Sequence, residues 1–315
     1  MRTTLPAALA SLAVALSAAA TASPQEAEAT KTPPAKSMQE ILDAAPASAW
    51  RTLDPANTLY LELATGRVVI ELAPHFAPAH VANIRTLAKE GYWDGLAIIR
   101  SQDNYVVQWG DPNDDDPAQK SGKPLGSAKA KLPAEFERGS EGVPFVRLPD
   151  ADGWAAQVGF SDGFPAARDP AEGKAWLAHC YGMVGAGRDV ASDSSNGTSL
   201  YVVTGQSPRM LDRNITVVGR VVDGIELLTV LPRGTGPLGF YEDPAQNVPI
   251  ASVQLASEVP PAQRSPLQLL RTDSSTFTEL VESRRNRRDE WYKRPAGHID
   301  LCNVPLPVRE TPASS

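Results

Sequence analysis

The stretch from Ile98 to Asp111 reads IIRSQDNYVVQWGD and decides the fold of this chain of 315 residues. Its first apolar run ends at Arg100. A polar loop of turn-forming residues, 101–104, separates that run from a second one, which contains Gln108. The loop can fold Arg100 back over the start of the second run. The pattern therefore predicts two adjacent strands that place a guanidinium group near a side-chain amide.

The side chains of the second strand are expected to alternate between two faces. Residues two apart share a face, so Val106 and Gln108 point to one side. Tyr105 points to the other side unless a bend near Asn104 redirects it. Taken alone, Arg100 reads most simply as a strand-end residue in a surface salt bridge, and Gln108 as a half-exposed strand residue. The rest of the chain favours a functional role for both.

The spacing of this stretch resembles the active strand of cyclophilins, which catalyse cis/trans isomerisation of peptidyl-prolyl bonds. The family's usual form is Phe-His-Arg, a short loop, and Phe-Met-x-Gln-Gly-Gly-Asp. The matching positions hold Arg100, Tyr105, Val106, Gln108, Gly110 and Asp111. Ile98 and Ile99 stand where the family has Phe-His.

Other segments resemble the family in the same order along the chain. They are VVIELAPHFAPAHVANIRTLAKEGYWDG (68–95), YGMVGAG (181–187), NGTSLYVVTG (196–205) and MLDRNITVVGRVVDGIELL (210–228). The match covers residues 57–257. It implies a mostly β fold, a closed eight-stranded antiparallel barrel with two capping helices. A long insertion at residues 112–177 and a partly helical C-terminal extension at residues 258–315 would be added to it.

The resemblance implies a peptidyl-prolyl isomerase that acts on proline-containing polypeptides, with Arg100 and Gln108 as catalytic residues. Rotation about a peptide bond is opposed by a barrier of about 18–20 kcal/mol, which arises from resonance. Resonance fades as the bond twists, and the prolyl nitrogen gains a lone pair. A fixed guanidinium aimed at that nitrogen stabilises the twisted state more than either planar state. This chemistry requires no nucleophile, metal or cofactor.

The resemblance also assigns a substrate-binding set that departs from the family pattern. Its members are Tyr105, Val106, Val184, Ser199, Tyr201, Met210, Leu211 and Ile215. Ser199 replaces a glutamine, Met210 a tryptophan and Ile215 a histidine, and Val184 narrows one side. A misplacement of about 1 Å can lower a rate on the order of a hundredfold, so we expect reduced activity. The alternative is a non-catalytic module that binds proline-containing segments or a partner protein.

Composition and the N-terminal residues bear on partners and location. A net charge of −7 and a pI of about 5.2 argue against nucleic acid as the main partner. Residues 1–22 hold Arg2, a Leu/Ala-rich run and a small-residue cleavage pattern, which together predict a secretory signal peptide. We therefore expect an exported, periplasmic protein without a stable membrane anchor. Residues 23–56 are expected to form a linker and a short helix within residues 38–53. The sequence does not indicate an oligomeric state.

Cysteine and acidic residues suggest further sites. Cys180 and Cys302 are the only cysteines, and in an oxidising compartment they are a candidate disulfide. The alternative is two separate buried thiols. The acidic run at residues 111–116 lacks the Gly and Glu of a calcium-binding hand loop, and the four histidines lack metal-ligand spacing. No metal site is therefore predicted.

The insertion and the extension lie outside the resemblance. The insertion contains possible strand segments at 143–148 and 154–160, and it either borders the active groove or elaborates the barrel rim. In the extension, the segment from Thr276 to Glu279 has the pattern of a helix capping box.

Overall fold

The structure is a computed structural model that describes residues 36–113, 122–289 and 291–312. The predicted signal peptide and most of the predicted linker lie outside the described residues. In chain order the strands are β1 (Trp50–Thr52), β2 (Thr58–Leu63), β3 (Gly66–Leu72), β4 (Ala97–Ser101), β5 (Val106–Gly110), β6 (Arg138–Gly139), β7 (Val146–Arg147), β8 (Gln157–Ser161), β9 (Phe164–Asp169), β10 (Lys174–Leu177), β11 (Met183–Ala186), β12 (Leu200–Val203), β13 (Val217–Asp223), β14 (Val248–Leu255), β15 (Leu267–Leu270) and β16 (Val308–Glu310). The helices are α1 (Met38–Asp43), α2 (Pro78–Lys89), α3 (Ile225–Thr229) and α4 (Ser275–Arg285).

Eight strands close into the expected antiparallel barrel, in the order β11-β12-β5-β4-β14-β2-β3-β13, with β13 pairing back to β11. Alternating residues of these strands fill the barrel with aliphatic side chains and Trp109. Helices α2 and α3 pack on this core through Val81, Ile84 and Leu228 among others. The predicted barrel with two packed helices is confirmed.

Helix α2 begins at Pro78, whose fixed φ suits the first helical position. Its N-cap residue, Ala77, offers no side-chain acceptor. The carboxylate of Glu135 takes that role from the insertion, since it accepts hydrogen bonds from the backbone N–H groups of Ala79 and His80, each at 2.9 Å. The insertion is therefore fastened to a helix of the barrel.

The insertion forms a sheet of its own, in the order β6-β10-β9-β8-β7. The expected segments at 143–148 and 154–160 correspond in part to β7 and β8, whereas β9 and β10 were not anticipated. One face of this sheet packs against α4, where the rings of Phe160 and Phe277 meet edge to face at 5.0 Å. The insertion and the extension thus share a second hydrophobic core.

A third sheet joins the two ends of the described chain, in the order β1-β15-β16. The short helix expected within residues 38–53 ends at Asp43, and Trp50–Thr52 forms a strand because it pairs with β15. The capping residue of α4 is Ser274, whose hydroxyl accepts from the N–H of Phe277, rather than Thr276.

A disulfide links Cys180, just before β11, to Cys302 in the C-terminal segment. It excludes the alternative of two separate thiols and joins the extension to the barrel. Within the described residues, no helix has the length and apolar character needed to cross a membrane.

Candidate active site

Arg100 lies opposite Gln108 on the neighbouring strands β4 and β5, next to a bulge in β4. Its Nη1 donates to Gln108 Oε1 at 2.9 Å, its Nη2 donates to Gln102, and its Nε donates to the carbonyl of Leu238 at 2.7 Å. A guanidinium has five N–H groups, and three of those of Arg100 donate within the described part of the chain. Its other two N–H groups have no hydrogen-bond acceptor within the described residues.

A loop of residues 234–241 holds Arg100 from the other edge of β4. Its backbone pairs with β4 on both sides of Arg100, through Gly234 N–H to Ser101 and Tyr241 N–H to Ile99. Leu238 adopts a left-handed conformation with φ of +57°, which leucine rarely adopts. This contact could not be predicted from the sequence, because nothing in the residue type indicates that conformation.

Aromatic rings and partial burial complete the surroundings of the guanidinium. The ring centroids of Phe240 and Tyr105 lie 5.3 and 5.7 Å from Arg100 Cζ, within the range of cation–π attraction. Burial lowers the pKa of Arg100, although a guanidinium stays charged at neutral pH. The side chain is therefore a fixed cation in a partly dehydrated place, as the sequence hypothesis required.

Gln108 is itself held on its far side. Its Nε2 donates to the hydroxyl of Ser199 at 2.9 Å, while its Oε1 accepts from Arg100. Ser199, predicted to bind substrate, thus orients the amide of Gln108 in this structure. The three side chains form a line of hydrogen bonds across β4, β5 and the start of β12.

An apolar cluster lies beside this line. Val106, Tyr201 and Val203 form its buried part, and Tyr105 and Ile215 pack against it. Tyr105 joins Val106 because the chain bends at Asn104, where φ is +50°. The bend that the sequence left open is therefore present, and four of the predicted residues come together with Val203, which was not predicted.

Three other predicted substrate-binding residues lie apart from the buried cluster. Met210 is 60% exposed, and Leu211 is half-buried, both in a single 3-10 turn. Val184 is 1% exposed and packs inside the barrel. Because strand residues alternate, Val184 and Ala186 face inward, so Val184 does not narrow the apolar cluster. That part of the sequence prediction is wrong.

The ring of Tyr201 occupies space that Gly185 leaves free. A Cβ added to Gly185 would lie 2.2 Å from both Cζ and Oη of Tyr201. Burial raises the pKa of Tyr201, with nearby Tyr105 and Asp212 adding to the effect, so the hydroxyl keeps its proton. Its oxygen lies 3.0 Å from Nε2 of the buried His179.

A chain of buried polar groups continues from that histidine. His179 Nδ1 donates to Asp212 Oδ1 at 3.0 Å, and Arg209 Nε donates to Asp212 Oδ2 at 2.6 Å. Arg209 also meets Asp152 of the insertion through two hydrogen bonds of 3.1 and 3.2 Å. From the sequence we found only that the histidines lack metal-ligand spacing, and we did not identify the partners of His179, because positions 152, 209 and 212 show no motif spacing.

Among the described residues, no cluster of three or more His, Cys, Asp or Glu side chains could hold a metal ion. The carboxylate of Asp111 instead accepts hydrogen bonds from the backbone N–H groups of Asn113 and Lys123. Residues 114–116 of the acidic run lie outside the described residues. A cavity of about 400 Å³ lies elsewhere, between β3, the insertion and the extension, lined by Arg51, Phe145 and Arg271 among others.

Comparisons with known proteins agree with this geometry. The model of the family "Cyclophilin type peptidyl-prolyl cis-trans isomerase/CLD" matches residues 58–255. A probable peptidyl-prolyl cis-trans isomerase of Brucella suis biovar 1 is 30% identical over 187 residues, which cover 58% of this chain and 74% of the relative. The crystal structure of cyclophilin AquaCyp293 from Hirschia baltica superimposes with a TM-score of 0.65 at 27% identity, covering 82% of this chain and 92% of that chain. With the barrel and the Arg100 site in place, the chain belongs to the cyclophilin-type peptidyl-prolyl cis-trans isomerases.

Proposed function

We propose that Arg100 carries the isomerase activity of this chain, that Gln108 positions Arg100 and substrate, and that the clients are exported polypeptides. The observation that supports this most is the hydrogen-bonded arrangement of the Arg100 side chain. Its guanidinium is held on three sides by Gln108, Gln102 and Leu238, yet it keeps two N–H groups for a substrate. The apolar cluster beside it offers a place for a proline ring.

The chemistry needs only this arrangement. A prolyl ring seated against Val106, Tyr201 and Ile215 would bring its nitrogen to the Arg100 side of the cluster. As the amide twists, the nitrogen lone pair becomes an acceptor that the planar amide lacks. A preorganised cationic donor then stabilises the twisted state without reorganisation, which is the largest kind of single contribution in many enzymes.

We also propose that catalysis is slower than is usual for the family. Gln108 is the retained amide, and the second amide of the family pattern is absent because Ser199 stands there. The hydroxyl of Ser199 accepts a hydrogen bond from Gln108. The exposed Met210 and the apolar Ile215 add no donor for a peptide backbone. Fewer groups therefore hold the substrate at the distance that Arg100 requires.

Two features, one of the sequence and one of the structure, support export. Residues 1–22 have the composition of a secretory signal peptide. The disulfide between Cys180 and Cys302 is of a kind that persists in oxidising compartments and is rare in the cytosol. Both features support the proposal that the clients are periplasmic polypeptides.

The test is an exchange experiment on an Ala-Pro peptide, in which NMR lineshapes report the catalysed rate. Arg100→Ala should lower that rate by about two orders of magnitude, the typical effect of losing one transition-state donor. Arg100→Lys should not restore it, because a flexible ammonium lacks the fixed fork.

Arg168→Ala is the matched control. Arg168 also lies on a strand, donates to a glutamine, Gln157, at 2.8 Å and stacks on an aromatic ring, Phe145, but it belongs to the insertion sheet. Its rate should equal that of wild type. If Arg100→Ala exchanges as fast as the control, the assignment fails. If wild type itself shows no catalysis but binds the peptide, the chain acts as a binding module.

A further inference from the structure

We infer that Asp152 of the insertion is a positioning residue for isomerisation, and that it acts through Arg209, Asp212 and His179 on the hydroxyl of Tyr201. The inference deepens the proposed function and rests on it, because it concerns the apolar cluster beside Arg100. It assigns the insertion a part in the site that its position in the sequence does not reveal.

The contacts form an unbroken path. Asp152 meets Arg209 through both carboxylate oxygens, Arg209 donates to Asp212 at 2.6 Å, and Asp212 accepts from His179 at 3.0 Å. His179 then shares a hydrogen bond of 3.0 Å with Tyr201 Oη. Every link joins side-chain polar atoms, so each group sets the direction of the next.

The side chains of the path are buried, and burial keeps their hydrogen-bonded arrangement fixed. The four side chains between the insertion and Tyr201 are each at most 8% exposed. Removing one side chain of such a set leaves its partner as an uncompensated polar or charged group in a place of low polarity. The groups therefore hold a single arrangement instead of exchanging partners with water.

Tyr201 is the element through which the path reaches the substrate site. Its ring packs with Val106 and Val203, while its hydroxyl end rests on Gly185 and bonds to His179. Fixing both ends of a flat ring fixes its tilt. The tilt determines how deep a proline ring can sit, and hence its distance from Arg100.

The insertion supplies a matched pair of residues for the test. Asp150 and Asp152 are two residues apart, both have buried carboxylates, and each meets an arginine through two hydrogen bonds. Asp152 faces Arg209, the next group on the path to Tyr201. Asp150 instead faces Arg285 of α4, which is not on that path. Replacing either carboxylate should therefore destabilise the insertion to a similar extent, but only the replacement of Asp152 should change the site beside Arg100.

The experiment compares Asp152→Asn with Asp150→Asn in the full chain. Asp152→Asn should lower kcat/KM for an Ala-Pro peptide by about fivefold, equivalent to about 1 kcal/mol in the transition state. Asp150→Asn should leave it unchanged. In a Tyr201→Phe background, which lacks the hydroxyl, Asp152→Asn should cause no further loss, and Asp152→Glu should restore part of the activity in the wild-type background.

Several results would overturn the inference. They are equal rates for the two asparagine variants, or a loss from Asp152→Asn that persists undiminished with Tyr201→Phe. Should Asp152→Asn not fold, His179→Gln in the same two backgrounds tests the last link. The aromatic NMR signals of Tyr201 give a readout that needs no catalysis. They should shift in Asp152→Asn and stay in place in Asp150→Asn even if wild type proves inactive, which separates this inference from the proposed function.

Discussion

Replacing Gly185 with alanine would test how closely the position of Tyr201 controls catalysis. An added Cβ would lie 2.2 Å from Cζ and Oη of the Tyr201 ring. Carbon atoms in contact are normally about 3.5 Å apart or more, so the ring or strand β11 must move by roughly 1.3 Å. Both flank the apolar cluster beside Arg100, so the shift would alter the space for a proline ring.

Two magnitudes follow from that shift. Overpacking a buried site costs about 1–3 kcal/mol, and alanine recovers about 0.4–1 kcal/mol by restricting the unfolded chain. We therefore expect the free energy of unfolding to fall by about 1–2 kcal/mol. A displacement of about 1 Å in the site should lower kcat/KM on the order of a hundredfold. The loss of activity should thus exceed what partial unfolding explains.

The assay combines urea denaturation with peptide exchange measured on the same samples. Gly139→Ala is the matched control, since a Cβ there would meet nothing within 4 Å, and it should change neither quantity by much. In a Tyr201→Ala background, Gly185→Ala should no longer destabilise the protein, because the ring that it strikes is gone. Unchanged activity in Gly185→Ala, or an equal stability loss in both backgrounds, would refute the reasoning.

Three further predictions concern contacts that join distant segments of the chain. Cys302→Ser should lower the free energy of unfolding by up to about 5 kcal/mol, because the disulfide joins residues 122 apart; urea curves with and without reductant check this, and wild type under reductant should match the variant. Glu135→Ala should cost about 1–2 kcal/mol by uncapping α2, whereas a thermal midpoint equal to wild type would contradict the capping role. Hydrogen bonds from Arg285 hold the pKa of Asp150 below its usual value, so the pair stabilises the fold above about pH 4 and loses its effect as the pH falls further. The gap in unfolding midpoint between wild type and Asp150→Asn should therefore close in acid, and a gap independent of pH would contradict this.

The barrel could be predicted because several motifs resemble those of the cyclophilin family in the same order along the chain. The local pattern alone predicts only the adjacent strands β4 and β5, which are apolar runs around a turn. The third sheet could not be predicted in this way. Strand β1 pairs with β15, more than 200 residues later, and neither strand has more than four residues. No pattern within either segment indicates the strand with which it pairs.

The site was predictable to a similar depth. The pairing of Arg100 with Gln108 follows from their spacing on adjacent strands, and the apolar cluster follows from the resemblance to the family. The contact from the carbonyl of Leu238 could not be predicted. Its direction depends on a left-handed backbone conformation that the residue type does not indicate. Val184 was misplaced because matching a motif position does not say which face of a strand the residue occupies.

Two buried ion pairs join the insertion to the rest of the chain. Replacing a buried ion pair by apolar groups is often neutral for stability, whereas removing one partner is strongly destabilising. The pairs of Asp150 with Arg285 and of Asp152 with Arg209 therefore select one orientation of the insertion more than they strengthen it. A purely apolar contact would allow the insertion sheet to slide over α4. The two bidentate pairs join the insertion to two different elements, Arg285 of α4 and Arg209 of the turn before β13, and so oppose that sliding. Arg209 also connects the insertion, through Asp212 and His179, to Tyr201 of the apolar cluster.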